Sequence, residues 1–220
     1  VRSKDWKKCR DAFEGEAAIK AGGTAYLPKA SGLSEDEYLA YKERALFYSI
    51  TNKTVSALAG MATAKPASLK FNDALKGYFT DAGGVQFHEL YSKAIAETLL
   101  MGRFGVLVDR DGSNNPYFAL YTAESIINWE IGEDGKLKMV VLSEKYLEKD
   151  ANDKYKLTEK TRYRVLELTN NVYQQTIYDD KDMQTGLVVT PKNYGKSMSF
   201  IPFSVVNSFG LGFDNSKPPM

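Results

Sequence analysis

Phe87-His-Glu-Leu-Tyr-Ser-Lys-Ala-Ile-Ala-Glu-Thr-Leu-Leu-Met-Gly-Arg-Phe-Gly-Val-Leu-Val-Asp109 is the stretch that decides the fold. Leu90, Tyr91, Ala94, Ile95, Thr98 and Leu99 recur at helical spacing and predict one buried helix face. Gly102 is placed to stop that helix, and Gly105 to open the apolar run Val106-Leu107-Val108. After the polar turn Asp111-Gly-Ser-Asn-Asn-Pro116 the chain resumes as Tyr117-Phe-Ala-Leu-Tyr121 and then Ala123-Glu-Ser-Ile-Ile-Asn-Trp129. The prediction is therefore a helix running through a glycine pair into a strand, a turn and further strand.

Working outward, the N-terminal half reads as helical. Residues 1–22 carry Arg2, Lys4, Lys7, Lys8 and Arg10 around Trp6 and end at Gly22-Gly23. A solvated amphipathic helix or frayed end is the plainer reading of that charge run; nucleic-acid contact by Lys4, Lys7, Lys8 and Arg10, or a lipid contact, is the other. Ser34 followed by Glu35, Asp36 and Glu37 has the form of a capping box. Tyr38, Tyr41, Ala45, Tyr48, Asn52 and Val55 then repeat every three or four residues, widened by Leu46 and Ile50. The pattern predicts one long helix, about 40 Å if it runs unbroken to Ala64, with Gly60 as its weak point and Pro66 as its stop. A short connecting helix is expected over 68–86.

Beyond Trp129 the pattern changes to alternation. Glu133-Asp-Gly135 and Asn170-Asn171 read as hairpin turns in which both central residues take positive φ. Strands are predicted over 137–147, 162–168, 172–178, 187–190 and 201–207, with polar tips at 149–160 and around Asp179, Asp180 and Asp182. The fold class is α+β: N-terminal helices including one long helix, a helix-strand unit, then an antiparallel β meander. The organisation expected is an N-terminal helical arm (1–30), a helical part with the first strands (31–130), an antiparallel β part (131–209) and a linker (210–220).

The chain has 220 residues, 29 Lys and Arg against 28 Asp and Glu, and a net charge of +1. So even a balance gives no global drive towards nucleic acid. No run approaches the roughly 18 apolar residues of a membrane span, and no signal-peptide pattern opens the chain. Val1 stands where an initiator methionine would, so either residues precede it or the chain was trimmed.

Several motifs invite a chemical reading. Thr190-Pro-Lys-Asn-Tyr-Gly195-Lys196-Ser197 ends like a phosphate-binding loop, but Thr190 stands where that loop needs glycine and Pro202 cuts short the helix that must follow. A lysine-bearing turn is the better reading. Asp109-Arg-Asp111-Gly112-Ser-Asn114-Asn115 lacks the register of a calcium loop and reads as a hairpin tip. His88 is the only histidine, at a helix start with no nucleophile elbow to serve. Cys9 is the only cysteine and reads as a buried or idle thiol. Asn52-Lys53-Thr54 matches a glycosylation acceptor by chance, inside a predicted helix. Neither a catalytic constellation, a metal site nor a cofactor is expected.

Several segments in order carry a resemblance. They are Tyr26-Leu-Pro-Lys29 with Ser34-Glu-Asp-Glu-Tyr38, Arg44-Ala-Leu-Phe-Tyr48, and Thr54-Val-Ser-Ala-Leu-Ala-Gly-Met61 ahead of Lys65-Pro66. Leu99-Leu-Met-Gly-Arg-Phe-Gly-Val-Leu-Val-Asp109, Tyr121-Thr-Ala-Glu-Ser-Ile-Ile-Asn-Trp129, Ile201-Pro-Phe203 and Lys217-Pro-Pro219 continue them. In this order the chain resembles the portal proteins of tailed bacteriophages, in a branch first grouped as a family of unknown function. The resemblance implies the wing part of a homo-oligomeric ring, commonly a dodecamer, at the capsid vertex through which double-stranded DNA is packaged and ejected. It implies the terminase motor, capsid and tail-connector proteins as partners, no membrane, and a location in the virion and, during assembly, the host cytoplasm. The chain would end about where the stem begins. A closed heterologous ring needs two different faces per subunit, and Tyr38, Tyr41 and Tyr48 are the candidates for subunit or helix-packing contacts. A generic virion or surface binding module without catalysis is the alternative.

Overall fold

The computed structural model describes residues 3–67, 87–111, 115–150, 153, 155–179, 182–193, 195–208 and 210–211, with the backbone alone for residues 3, 182–187, 193, 210 and 211. The chain is α+β, helices followed by an antiparallel β meander. It forms two compact units: Val1–Phe104 with Val206–Met220, and Gly105–Val205.

The first unit is helical. α1 (Ser3–Glu14) and α2 (Glu16–Ala21) form in the segment expected to turn helical before Gly22, and Gly15 at φ 95° breaks the chain between them. α3 (Glu35–Arg44) begins with the predicted capping box: Glu37 N–H donates to Ser34 Oγ at 3.3 Å, and Ser34 N–H to the Glu37 carboxylate at 2.8 Å.

The long helix is not formed. α3 stops at Arg44, residues 45–49 are non-helical, and α4 (Ile50–Ala62) starts afresh. The ends freed by this break are taken up by α2, whose Lys20 Nζ donates to Glu43 O at 2.8 Å while its Glu16 carboxylate accepts from Phe47 N at 3.5 Å. The repeat Tyr38–Val55 thus splits between two helices, and Gly60, the expected weak point, lies undisturbed inside α4. Asn52 of the glycosylation-like triplet also lies in α4, its side-chain amide donating to Phe13 O.

α5 (Phe87–Met101) follows the opening prediction, with Leu90 and Met101 buried, although Leu99 is 46% exposed rather than part of the inner face. Gly102 at φ 80° ends it, a conformation in which a Cβ would be strained. Trp6, Tyr38, Val55, Ala59, Leu90, Met101 and Phe104 make up the core of this unit. Arg10 fixes α1 to α5 by a two-pronged pair with Glu97 at 2.7 and 2.9 Å, and the Arg103 guanidinium lies 4.6 Å from the Trp6 ring centre. The helix expected over 68–86 lies outside the described residues.

β1 (Arg103–Arg110) carries the chain into the second unit, and β2 (Pro116–Thr122) returns beside it. The predicted tip between them is closed by Asp111 N–H to Asn115 O at 2.9 Å and Asn115 N–H to Asp111 Oδ1 at 2.8 Å. A 3-10 turn (Ala123–Ser125) leads to a five-stranded antiparallel sheet in sequential order: β3 (Ile126–Ile131), β4 (Leu137–Lys149), β5 (Leu157–Thr169), β6 (Val172–Asp179) and β7 (Asp182–Val189). β4 and β5 run further than expected into the 149–160 tip, and β7 starts five residues before the predicted strand.

Asn170 and Asn171 take φ of 50° and 61°, the two-residue turn expected. The other turn differs: of its residues only Gly135, at φ 74°, has positive φ, with Gly135 N–H donating to Gly132 O at 2.9 Å. The extra residue makes this a bulged hairpin loop.

The final strand does not extend the meander. After the small hairpin of β8 (Lys192–Asn193) and β9 (Lys196–Ser197), β10 (Phe203–Asn207) pairs with β1 and with β11 (Gly210–Leu211), giving a second sheet in the order β11-β10-β1-β2. Val108 N–H to Pro202 O at 3.0 Å and Ser208 N–H to Gly102 O at 2.9 Å set β1 and β10 antiparallel. β11 falls within a tail expected to be linker. Leu107, Ala123, Ile126, Val140, Leu142, Leu166 and Tyr173 are sealed in the core of the second unit.

Candidate functional site

Strand alternation carries charge into the second unit. Val140, Leu142 and Glu144 of β4 share one face of the sheet, and the register pairs them with Leu166, Arg164 and Arg162 of β5. Leu166 in turn pairs with Gln175 of β6, two residues from Tyr173. One face therefore passes from a sealed aliphatic core to two arginines and a glutamate without a change of parity. β1 supplies Asp109 from the parity of Leu107, and β2 supplies Tyr121.

The hydrogen bonds close into a network. Glu144 accepts from Arg162 Nε at 2.7 Å, from Arg164 Nε at 2.7 Å and from the Tyr121 hydroxyl at 2.6 Å. Arg164 also donates to Asp109 Oδ2 at 3.1 Å and to Gln175 Oε1 at 2.9 Å, and Gln175 Nε2 donates to the Tyr173 hydroxyl at 2.8 Å. Side chains of Arg164, Glu144 and Asp109 are 12, 13 and 17% exposed. Burial works to raise the Glu144 carboxyl, but the bonds from Arg164, Tyr121 and Arg162 outweigh it and hold it below the usual glutamate value. Burial, then the neighbouring Glu144 charge, pushes the Tyr121 hydroxyl up, and burial does the same to Tyr173. These groups are set to hold fixed protonation states and join two sheets.

Beside this network opens a pocket of about 820 Å³. Asp109, Arg164, Tyr173 and Gln175 belong to its lining, as do Val108, Val189, Phe200 and Pro202. Arg110 and Lys192, both exposed, complete it with two further cations. Asp109 and Arg110 belong to the stretch with a superficial likeness to a calcium loop and Lys192 to the one that ends like a phosphate-binding loop, and neither reading points to this pocket. The signal that marks them is a charged residue at the inward parity of a strand, as in Val140-Val-Leu142-Ser-Glu144 and Arg162-Tyr-Arg164-Val-Leu166.

The candidates named from sequence lie in the helical unit. Tyr38 is 7% exposed, its hydroxyl donating to Leu27 O at 2.9 Å, so it is committed to the interior. Tyr41 is 38% and Tyr48 77% exposed, and Tyr48 belongs to the non-helical segment between α3 and α4, flanked by Leu46 and Ile50 at 78 and 68%. Along 45–50 the residues alternate between half-buried and exposed, and Leu46, Tyr48 and Ile50 are the exposed ones.

Among the basic residues, Lys7 pairs with Asp11 at 2.8 Å and Arg10 with Glu97, while Lys4 and Lys8 are exposed. Two of the four proposed nucleic-acid contacts are thus held in internal ion pairs. Tyr26 donates to Asp11 at 2.6 Å, and with burial this raises its hydroxyl to about 12. Gly195-Lys196-Ser197 forms the turn and second strand of the β8–β9 hairpin, with no helix behind it. His88 and Cys9 are exposed. Among the described residues no group of three or more His, Cys, Asp or Glu side chains is placed to hold a metal ion, and no helix is long and apolar enough to cross a membrane.

No protein-family model matches the chain, and no curated protein is similar to it.

Proposed function

We propose that this chain is a structural subunit of a tailed-phage portal ring, forming its wing and acting without catalysis. The observation that carries the reading is the helix-glycine-strand unit. Leu99–Asp109 of the resemblance falls on the end of α5 and on β1, and Tyr121–Trp129 falls on the end of β2, the 3-10 turn and β3, in the order that the resemblance requires. The exposed side chains of Leu46, Tyr48 and Ile50 add support, since a ring subunit needs apolar surface for its neighbours. In this reading the partners are further copies of the chain, the terminase motor, capsid and tail-connector proteins, and the double-stranded DNA that passes through the ring. The location is the virion and, before it, the host cytoplasm.

Negative-stain electron microscopy of the natural full-length product at micromolar concentration tests the proposal. Rings with a central channel support it; monomers or closed dimers at every concentration overturn it. The pocket beside Asp109 favours a second reading, a virion or surface binding module, which predicts ligand binding by the monomer.

A further inference from the structure

The pocket in the second unit has chemistry that selects its occupant. We propose that it docks an extended acidic and apolar segment of a partner protein, with an apolar side chain entering between Val189 and Phe200 and a neighbouring carboxylate meeting Lys192. The inference is independent of the ring proposal.

Charge gives the first reason. Of the described ionised residues in the lining, Arg110, Arg164 and Lys192 are cationic and Asp109 is anionic. The Asp109 carboxylate is turned onto Arg164 and Gln175, and Arg164 is further engaged by Glu144, so the floor is closed by its own bonds. Lys192 stands exposed at the rim. A carboxylate arriving there meets a positive field, whereas a cation is repelled.

Shape gives the second. A volume of about 820 Å³ is in the range of ligand sites. Its rim carries Val108, Val189 and Phe200, which are 45, 45 and 55% exposed. A small acid confined to the floor would leave these three in water; a chain crossing the mouth covers them. Their burial supplies the apolar drive, at roughly 25 cal/mol for each Å² removed from water before ordering costs.

The test is a fluorescence-anisotropy titration of the 220-residue chain with labelled acetyl-Asp-Phe-Glu-Phe-Asp-amide, beside the same peptide with lysine at each acidic position. Saturable binding of the acidic peptide alone is expected. Lys192→Glu and Phe200→Ser should each weaken it at least about tenfold, with circular dichroism unchanged because both side chains are exposed. Equal binding of the two peptides, no binding, or undiminished binding by both variants overturns the proposal. So does phenylpropionate competing at the peptide's own concentration, which would make the site one for small acids. Sedimentation of the chain alone covers the remaining source: a dimer abolished by Lys192→Glu would put a second copy in the pocket and overturn the assignment to a partner.

Discussion

Glu144 ties β2 and β5 to β4, because it accepts from Tyr121, Arg162 and Arg164 at once. Glu144→Gln keeps the shape but leaves two partly buried guanidinium groups short of a counter-charge, and urea unfolding should report a loss of about 2–3 kcal/mol. The same residue sets an acid limb. Its folded carboxyl titrates below the ordinary glutamate value, so its contribution is complete above about pH 4.3 and fades as pH falls through the folded value. Melting temperature measured from pH 6 to pH 3 should therefore drop less steeply in Glu144→Gln than in the parent. Gly105 is constrained by space: a Cβ there would lie 2.5 Å from the Phe203 ring and 3.0 Å from Ile126 Cδ1. Gly105→Ala should cost about 2 kcal/mol by overpacking, and a melting temperature equal to the parent's would contradict that account.

Among the elements, turns test the fold most cleanly. Asn171 sits at φ 61° between β5 and β6, so Asn171→Val should lose about 1–2 kcal/mol while Asn171→Gly stays near the parent. This hairpin was legible in the sequence, because a two-residue turn writes its requirement into the two residues themselves. The α5–β1 junction was legible for a similar reason: Gly102 is a local stop, and the apolar period changes across it. The break between α3 and α4 was not. Tyr38, Tyr41, Ala45 and Tyr48 keep helical spacing through it, and what halts the helix is Lys20 and Glu16, which reach the freed backbone from 23 and 31 residues away. The network around Glu144 was hidden in the same way, since Asp109 and Arg164 are 55 residues apart and meet only once two sheets have formed. Periodicity reports which face is inward; it does not say which inward charge finds its partner.

For the whole molecule, the surface of the first unit bears most directly on assembly. Tyr48→Ser exchanges an exposed ring for a hydroxyl and should leave the stability of the chain within about 0.5 kcal/mol. In the natural full-length product it should lower the yield of rings on size exclusion, as should Tyr41→Ala. An unchanged ring yield would remove these tyrosines from the interface. Tyr38→Ala acts differently: the ring is buried and hydrogen-bonded, so its loss should destabilise the chain itself by about 3 kcal/mol.

The path by which the chain enters and leaves the second unit also governs how it bears force. β1 and β10 are antiparallel neighbours, and the bonds Gly102–Ser208 and Val108–Pro202 place Gly105 opposite Val205. Tension along the backbone reaches the second unit at two adjacent points and passes across the β1–β10 bonds, so the pocket and the meander stay unloaded while those bonds hold. Pulled from that end, an antiparallel pair opens one bond at a time rather than all together.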